Sequence, residues 1–308
     1  MTSELARRVV FGIIAAPIAI GIVLAGGASL AALLAVASAL AAWEFFRIAD
    51  AVGLAPFPYL GAGLAGVIPL VVHARYLHLY DPDRSIPAIS LAMLVVLTTF
   101  TAALWTRGTS KGSLGAIAST LFGVAYTGGM LSFAYAIRYH DYAFGDTASL
   151  TGVAWAFRTG VAAGGLLLVL PLMLTWASDI GAYVVGRSAG KHKLMPSVSP
   201  GKTIEGAAGG LVAAALLGWL YTDFVLQPAT SLAFRGRLLG VLVFSLLISV
   251  AAQVGDLAES MLKRDAGVKD SSSLIPGHGG VLDRLDSLLF VLPVAYVLFG
   301  LLLTWAPQ

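Results

Sequence analysis

Acidic side chains lie at or near the ends of long apolar runs in the second half of the chain. Asp179 lies inside one run, Asp256 follows a later one, and Asp283 and Asp286 open the last. A charge at membrane depth is costly and usually faces a partner or a wet cavity. Two plainer interpretations stay open: Asp179 is bonded to a neighbouring helix, or the last two carboxylates cap a helix N-terminus.

Oxygen ligands of this kind predict a magnesium site. Mg²⁺ typically binds one or two carboxylates together with substrate phosphates. The chain has no cysteine, which argues against a zinc site. We therefore expect Asp256 and Asp283 to hold Mg²⁺, alone or with a second cation, with Asp286 and Asp179 as further candidates.

Basic residues and glycines accompany these carboxylates. Mixed charges with glycine suit polyphosphates, because Lys and Arg bind some oxygens and backbone N–H groups bind others. The turn at 276–280 reads Pro-Gly-His-Gly-Gly and leads into a predicted helix, where N–H groups can face an anion. Salt bridging alone is the alternative, and Glu259 and Lys263 have the favourable i, i+4 spacing. The neighbouring basic residues are Arg264, Lys269 and Arg284.

Two nucleotide motifs are incomplete. Gly201-Lys202-Thr203 resembles the end of a P-loop, but Pro196 occupies the position of the required first glycine. The glycines of the 276–280 turn do not complete a dinucleotide fingerprint, because Leu282 stands at the last glycine position.

Composition shows which elements must position these groups. Of 308 residues 58% are hydrophobic and 11% charged, and the mean hydropathy is +0.87. Soluble domains carry about 25% charged residues, so a soluble enzyme, a disordered chain and an ordinary secreted domain are excluded. A helical span needs about 20 apolar residues, whereas a barrel strand needs about 10 alternating ones. We predict an all-α polytopic bundle with spans near 9–24, 29–46, 54–72, 87–105, 114–136, 160–185, 206–226, 238–255 and 285–305.

The basic residues predict the orientation of this bundle. With nine spans, most of the 19 lysines and arginines, including every lysine, fall on the N-terminal side, which is therefore cytoplasmic. The loops 187–205 and 256–286 then share that face. We expect membrane helices in 1–160 and a catalytic membrane region in 161–308, with a retained first helix rather than a signal peptide. Glu44 is expected to pair with Arg47.

The polar motifs resemble those of one enzyme family. Residues 260–286 read Ser-x-x-Lys-Arg-x₄-Lys-Asp-x₄-Ile-Pro-x-His-Gly-Gly-x₂-Asp-Arg-x-Asp, which is similar to the signature of phosphatidate cytidylyltransferases, also called CDP-diacylglycerol synthases. Upstream, 179–187 reads Asp-x-x-Ala-Tyr-x-x-Gly-Arg, and 199–206 reads Ser-Pro-x-Lys-Thr-x-Glu-Gly. Gly201 departs from the family pattern, which often has Lys or Asn there.

The resemblance implies the reaction of CTP with phosphatidic acid to give CDP-diacylglycerol and pyrophosphate. The lipid phosphate would attack the α-phosphorus of CTP in line, so that catalysis depends on positioning and charge neutralisation. Catalytic roles then fall to Asp256, Asp283, Lys263, Arg264 and Arg284. Substrate contacts fall to Ser199, Lys202, Thr203, Glu205, Lys269, Asp270, His278, Gly279 and Gly280.

The resemblance also implies a homodimer in the inner membrane, with its active site facing the cytoplasm and no nucleic-acid partner. Two other classes stay open. A cation-coupled transporter would carry carboxylates near the bilayer midplane in repeated halves, and no repeat is seen here. A CTP-dependent polyprenol or dolichol kinase would transfer the γ-phosphate instead. The enzyme hypothesis requires the acidic and basic groups of the last spans to converge.

Overall fold

Helices dominate the protein, as the composition predicts. A computed structural model describes residues 17–76, 88–108, 112–140, 153–275 and 279–305. Residues 17–25 are helical. The helices that follow are α1 (Gly27–Ala51), α2 (Pro58–Tyr76), α3 (Ala88–Arg107), α4 (Ser113–Val124), α5 (Met130–Arg138), α6 (Val153–Ala189), α7 (Ile204–Tyr221), α8 (Gln227–Thr230), α9 (Leu238–Asp265) and α10 (Leu282–Leu302).

Two π-helical turns make some of these helices continuous. One turn, Ala125–Gly129, joins α4 to α5, and the other, Thr222–Leu226, joins α7 to α8. Each joined pair is long enough to cross a membrane: Ser113–Arg138 in the first case and Ile204–Thr230 in the second.

Seven helices in the described part of the chain are long and apolar enough to cross a membrane, so the protein is an integral membrane protein. They correspond to seven of the nine predicted spans. Of the other two, the first has only its second half, residues 17–24, among the described residues. The third, predicted at 54–72, forms α2 but is not among the seven, and its last turn carries His73 and Arg75.

Two small antiparallel sheets interrupt the helical pattern. Strands β1 (Lys193–Met195) and β2 (Ser199–Thr203) form a hairpin within the predicted 187–205 loop. Strands β3 (Leu232–Phe234) and β4 (Leu303–Trp305) pair in the same sense. These strands are too short to leave an alternating pattern in the sequence, and the sequence did not predict them.

The chain forms two compact units. The first contains Gly27–Tyr135 and Leu262–Leu285, and the second contains Ala16–Gly26, Ala136–Met261 and Asp286–Gln308. The segment after α9 thus groups with the N-terminal helices. The predicted functional boundary at residue 160 stays a prediction.

Aromatic packing fixes α1 in the first unit. Phe45 and Phe46 are buried and meet edge to face, with ring centroids 5.7 Å apart. Gly61 of α2 and Gly123 of α4 leave room for the Phe46 ring, because a Cβ at either glycine would overlap it. Glu44, which precedes the two phenylalanines in α1, is also fully buried.

Glycines bring α6 and α7 into close contact in the second unit. A Cβ on Gly181 would lie 2.5 Å from the Ala213 Cβ and 2.7 Å from the Gly209 carbonyl oxygen. A Cβ on Gly210 would lie 2.8 Å from the Ser178 carbonyl oxygen. Small residues allow such backbone approach between membrane helices, where apolar burial contributes little to association.

We predict that Gly181→Ala destabilises the protein, because the added methyl meets Gly209 backbone that cannot move aside cheaply. Overpacking of this kind costs about 1–3 kcal/mol. The melting temperature of the detergent-purified protein should fall by several degrees. Gly63→Ala in α2 is the matched control, since no atom lies within 4 Å of its added Cβ. Equal melting temperatures for the two variants would contradict the packing account.

Candidate active site

Asp283 is the centre of a polar network at the start of α10. The Lys263 ammonium donates to Asp283 Oδ1 at 2.7 Å, and the two side chains are only 11% and 6% exposed. Asp283 Oδ2 accepts from the Ser271 amide at 3.0 Å, the Ser271 hydroxyl at 2.9 Å and the Gly280 amide at 2.8 Å. The carboxylate is therefore held by a cation and by backbone donors together.

Glu44 of α1 is the second carboxylate of this network. Its Oε1 accepts from the Ser272 hydroxyl at 2.6 Å and the Val281 amide at 3.1 Å. Its Oε2 accepts from the Ser271 hydroxyl at 3.0 Å and the Leu282 amide at 2.7 Å. We name the set Glu44, Lys263, Ser271, Ser272 and Asp283 the α10 cluster.

The expected pairing of Glu44 with Arg47 is wrong. The Arg47 guanidinium lies 5.1 Å from the centre of the Trp43 ring instead. Glu44 faces the interior of the first unit, where the amides at the start of α10 attract a negative charge. The i, i+3 spacing rule considers only neighbours in sequence, and so it predicted Arg47. The buried Glu44 carboxylate instead contacts Ser271, which lies more than 200 residues away in the sequence.

The glycines of the predicted 276–280 turn admit the two carboxylates. Gly279 has a φ of +81°, and a Cβ there would lie 2.7 Å from Asp283 Oδ2. A Cβ on Gly280 would overlap the Ser271 hydroxyl and the Glu44 carboxylate. The amides of residues 280–282 donate to protein carboxylates in this structure, and contact of the turn with substrate stays a prediction. His278 lies outside the described residues.

A second polar cluster lies at the end of the β1–β2 hairpin. The Lys202 ammonium lies 2.6 Å from Asp256 Oδ2, and these side chains are 27% and 34% exposed. The Ser260 hydroxyl lies 3.4 Å from Asp256 Oδ1, one helical turn along α9. Asp179 of α6 interacts electrostatically with both Asp256 and Lys202. We name Asp179, Lys202, Asp256 and Ser260 the hairpin cluster.

The hairpin itself is fixed by two of the predicted residues. Thr203 is the N-cap of α7 and accepts from the Gly206 amide at 3.1 Å. Glu205 accepts from the amides of Lys191 and His192 at 3.0 and 3.2 Å, and the His192 ring lies 2.6 Å from it. Both residues hold the loop in place, and Lys202 is thereby positioned beside Asp256.

The remaining predicted residues lie on the protein surface or make local bonds. The Arg264 guanidinium donates to the Val268 carbonyl at 3.0 Å, and Asp286 accepts from the Ser287 amide. Ser199 pairs with Met195 in the hairpin. The side chains of Lys269, Asp270 and Arg284 are exposed. Asp256 and Asp283 belong to different units, so their convergence stays a prediction.

Sequence reasoning missed Glu44, Ser271 and Ser272. A signal for Glu44 was present, since an acidic residue inside an apolar run usually faces a partner. The serines carry no comparable signal, because isolated serines in a polar loop are common and their partners are far away in sequence.

The donor set fits magnesium at the hairpin cluster. The described residues contain no group of three or more His, Cys, Asp or Glu suited to a metal ion. Mg²⁺ needs fewer, since one or two carboxylates are completed by water and substrate phosphates. Asp256 is partly exposed, has Asp179 nearby and already faces a cation in Lys202. Asp283 is already held by several hydrogen-bond donors, so it would bind a metal ion in exchange for one of these hydrogen bonds.

The fold and these clusters define a class of protein: a polytopic membrane protein with charged groups suited to phosphates. Comparisons with known proteins identify the family. The model of the cytidylyltransferase family matches residues 6–302. A protein of Synechocystis named phosphatidate cytidylyltransferase is 33% identical over 303 residues, which cover 96% of this chain and 97% of that protein.

Proteins of the same name from other bacteria match shorter regions more strongly. The Haemophilus influenzae protein is 48% identical over 130 residues, 42% of this chain and 44% of that protein. The Bacillus subtilis protein is 46% identical over 129 residues, 42% of this chain and 45% of that protein. The chain belongs to the cytidylyltransferase family, which confirms the resemblance of its motifs.

We predict that the two ion pairs differ in their contribution to stability. Asp283→Asn removes the carboxylate that pairs with the buried Lys263, and breaking a buried pair costs about 3–5 kcal/mol. Asp256→Asn breaks a more exposed pair, for which about 0–1 kcal/mol is typical. Thermal unfolding in detergent should therefore show a clearly lower melting temperature for Asp283→Asn alone. A larger loss for Asp256→Asn would contradict the burial argument.

Proposed function

We propose that this protein is a phosphatidate cytidylyltransferase, which makes CDP-diacylglycerol and pyrophosphate from CTP and phosphatidate. The observation that carries the proposal is the match to the Synechocystis protein, which spans almost the whole of both chains. The charged clusters support it, because two anionic phosphate substrates need cations beside them.

The reaction needs no nucleophile from the protein. An anionic oxygen of the phosphatidate phosphate forms a bond to the α-phosphorus of CTP. The bond from that phosphorus to the oxygen bridging the α- and β-phosphates breaks, and pyrophosphate leaves with the electron pair. Catalysis of such a transfer consists of positioning and charge neutralisation.

The basic residues divide into two groups by exposure. Arg264, Lys269 and Arg284 have exposed side chains, and we assign them to binding the triphosphate and the lipid phosphate. Lys263 is largely buried against Asp283, so its charge acts from a fixed position. Lys202 lies against Asp256 and can exchange that carboxylate for a phosphate oxygen.

Mg²⁺ would be held by Asp256 with Asp179, and by Asp283 and Asp286 where their present hydrogen bonds allow. When bound, the ion neutralises phosphate oxygens as negative charge shifts to the leaving pyrophosphate. Asp256 thus has two tasks, since it also holds Lys202 in place before substrate binds. The proposal also includes a second bound cation and the assembly of two copies of the chain into a homodimer.

The location follows from the substrates. Phosphatidate is a membrane lipid and CTP is soluble, so the reaction must occur at a membrane surface. The lysines all lie on one side in the predicted topology, which the positive-inside rule assigns to the cytoplasm. We therefore place the active site at the cytoplasmic face of the inner membrane.

Phosphorus labelling tests the reaction. Purified protein in detergent, with Mg²⁺ and phosphatidate, should transfer label from [α-³²P]CTP to a lipid-soluble product and leave the label of [γ-³²P]CTP in aqueous pyrophosphate. A kinase would place the γ-label in lipid. Either that result or the absence of any lipid-soluble cytidine product would overturn the proposal.

Metal dependence tests the role of Asp256. Asp256→Asn should lower kcat by about 10²–10³-fold, as for loss of other charge-stabilising groups, and should raise the Mg²⁺ concentration needed for half-maximal rate. Asp223→Asn is the matched control, because Asp223 bonds the Trp219 ring and lies outside both clusters. Near-normal turnover and unchanged Mg²⁺ dependence in Asp256→Asn would remove this residue from the site.

A further inference from the structure

Glu44 has a place in the structure that the proposed mechanism does not use. It belongs to the N-terminal membrane helix α1, yet every described partner of its carboxylate lies between residues 271 and 282. The side chain is fully buried. A buried charge needs compensating hydrogen bonds, because desolvation alone would disfavour it.

The Ser271 hydroxyl links Glu44 to Asp283. Its oxygen lies 3.0 Å from Glu44 Oε2 and 2.9 Å from Asp283 Oδ2. A hydroxyl has one proton, so it donates to one carboxylate at a time or is shared between the two. Asp283 in turn fixes the Lys263 ammonium at 2.7 Å. A continuous chain of bonds therefore runs from Glu44 to the buried cation.

The geometry calls for a group that only accepts hydrogen bonds. The Ser272 hydroxyl and the amides of Val281 and Leu282 direct protons at the Glu44 carboxylate, and the Ser271 hydroxyl does so when it is not donating to Asp283. An ionised carboxylate has about four lone-pair sites and accepts from all of them, whereas the NH₂ group of a glutamine would face the Val281 or the Leu282 amide, which cannot accept. The site therefore specifies glutamate and not merely a polar residue of that size.

We propose that Glu44 is a positioning residue for cytidylyl transfer: it sets the backbone at 271–272 and 280–282, and through Ser271 it holds Asp283 and Lys263 in their catalytic arrangement. The inference rests on the function proposed above. A misplacement of about 1 Å in a catalytic group can cost on the order of 10²-fold in rate. Glu44 touches neither substrate nor metal in this role.

The principal variant is Glu44→Gln in the full-length protein, assayed in detergent micelles with CTP, phosphatidate and Mg²⁺. We expect kcat per folded enzyme to fall by at least tenfold. The KM values for CTP and phosphatidate should change by less than threefold, because the described partners of the Glu44 carboxylate do not include the exposed basic residues assigned to substrate binding. Two controls lie on the same helix: Asp50→Asn makes the same chemical change on an exposed side chain, and Ser38→Ala alters a buried polar one.

A double-mutant cycle tests the link to Asp283. Ser271→Ala removes the shared hydroxyl and should lower kcat in the same direction. Both changes interrupt one chain of hydrogen bonds. The kcat of the double variant Glu44→Gln with Ser271→Ala should therefore be little lower than that of the less active single variant. Additive losses would show that the two residues act separately and would overturn the proposal.

Reactivity of Lys263 provides a readout that does not depend on turnover. Lys263 is largely buried, whereas Lys191 is exposed. Glu44→Gln should raise the acetylation rate of Lys263 severalfold, as followed by mass spectrometry, and leave that of Lys191 unchanged. An unchanged Lys263 rate would mean that Glu44 does not govern its position.

The outcomes separate this inference from the proposed function. If the wild-type protein forms no lipid-soluble cytidine product, the proposed function fails first. The positioning role fails alone if the wild type is active and the folded Glu44→Gln variant retains full kcat. It also fails alone if that variant shows only a lower melting temperature or only a changed KM. If Glu44→Gln does not fold, Ser271→Ala decides: reduced kcat at normal KM supports the proposal, and full kcat overturns it.

Discussion

Two buried carboxylates share one serine hydroxyl at the start of α10, and much of the first unit is arranged to tolerate them. Glu44 and Asp283 would repel one another at such proximity. The Lys263 ammonium, the amides of Ser271 and of residues 280–282, and the N-terminal dipole of α10 offset that repulsion. Each backbone donor fixes part of the segment between α9 and α10. The conformation of those parts therefore follows from the hydrogen bonds that the two carboxylates accept.

This constraint explains residues that otherwise look unremarkable. Gly279 and Gly280 are required because a side chain at either position would enter the space of a carboxylate. Glu44 is fully buried, and burial makes its hydrogen bonds stronger and its loss more costly. The hairpin cluster is organised differently. Its carboxylates are more exposed, and Thr203 and Glu205 fix the hairpin from outside, which leaves Asp256 accessible to a metal ion and phosphates.

The sequence was sufficient to predict most of the membrane helices, but not the contacts of the polar residues. Apolar length predicted seven of the membrane helices, because a span needs a long uninterrupted run that little else resembles. The ionisable residues of 256–286 predicted where the site lies, and that location stays a prediction. The partners of Glu44 could not be found in this way, since local spacing rules compare residues within two turns and these partners lie on a distant loop. The 193–203 hairpin was missed because strands of three and five residues leave no reliable period.

Family resemblance and the structure give different information about the charged residues. Motif matches predicted roles for Asp256, Asp283 and Lys202 without giving their contacts, and those roles stay predictions. The structure supplies contacts that the motifs lack: Lys202 rests on Asp256, whereas Lys263 rests on Asp283. Two lysines that look equivalent in sequence therefore differ in exposure and in the carboxylate that each contacts.

Hydrogen exchange of backbone amides tests the central arrangement most directly. In the wild-type protein, the amides of Ser271, Gly280, Val281 and Leu282 should exchange far more slowly than unstructured amides, because each donates to a buried carboxylate. In Glu44→Gln the protection of Val281 and Leu282 should be lost first. Rapid exchange of these four amides in the folded wild-type protein would contradict the account.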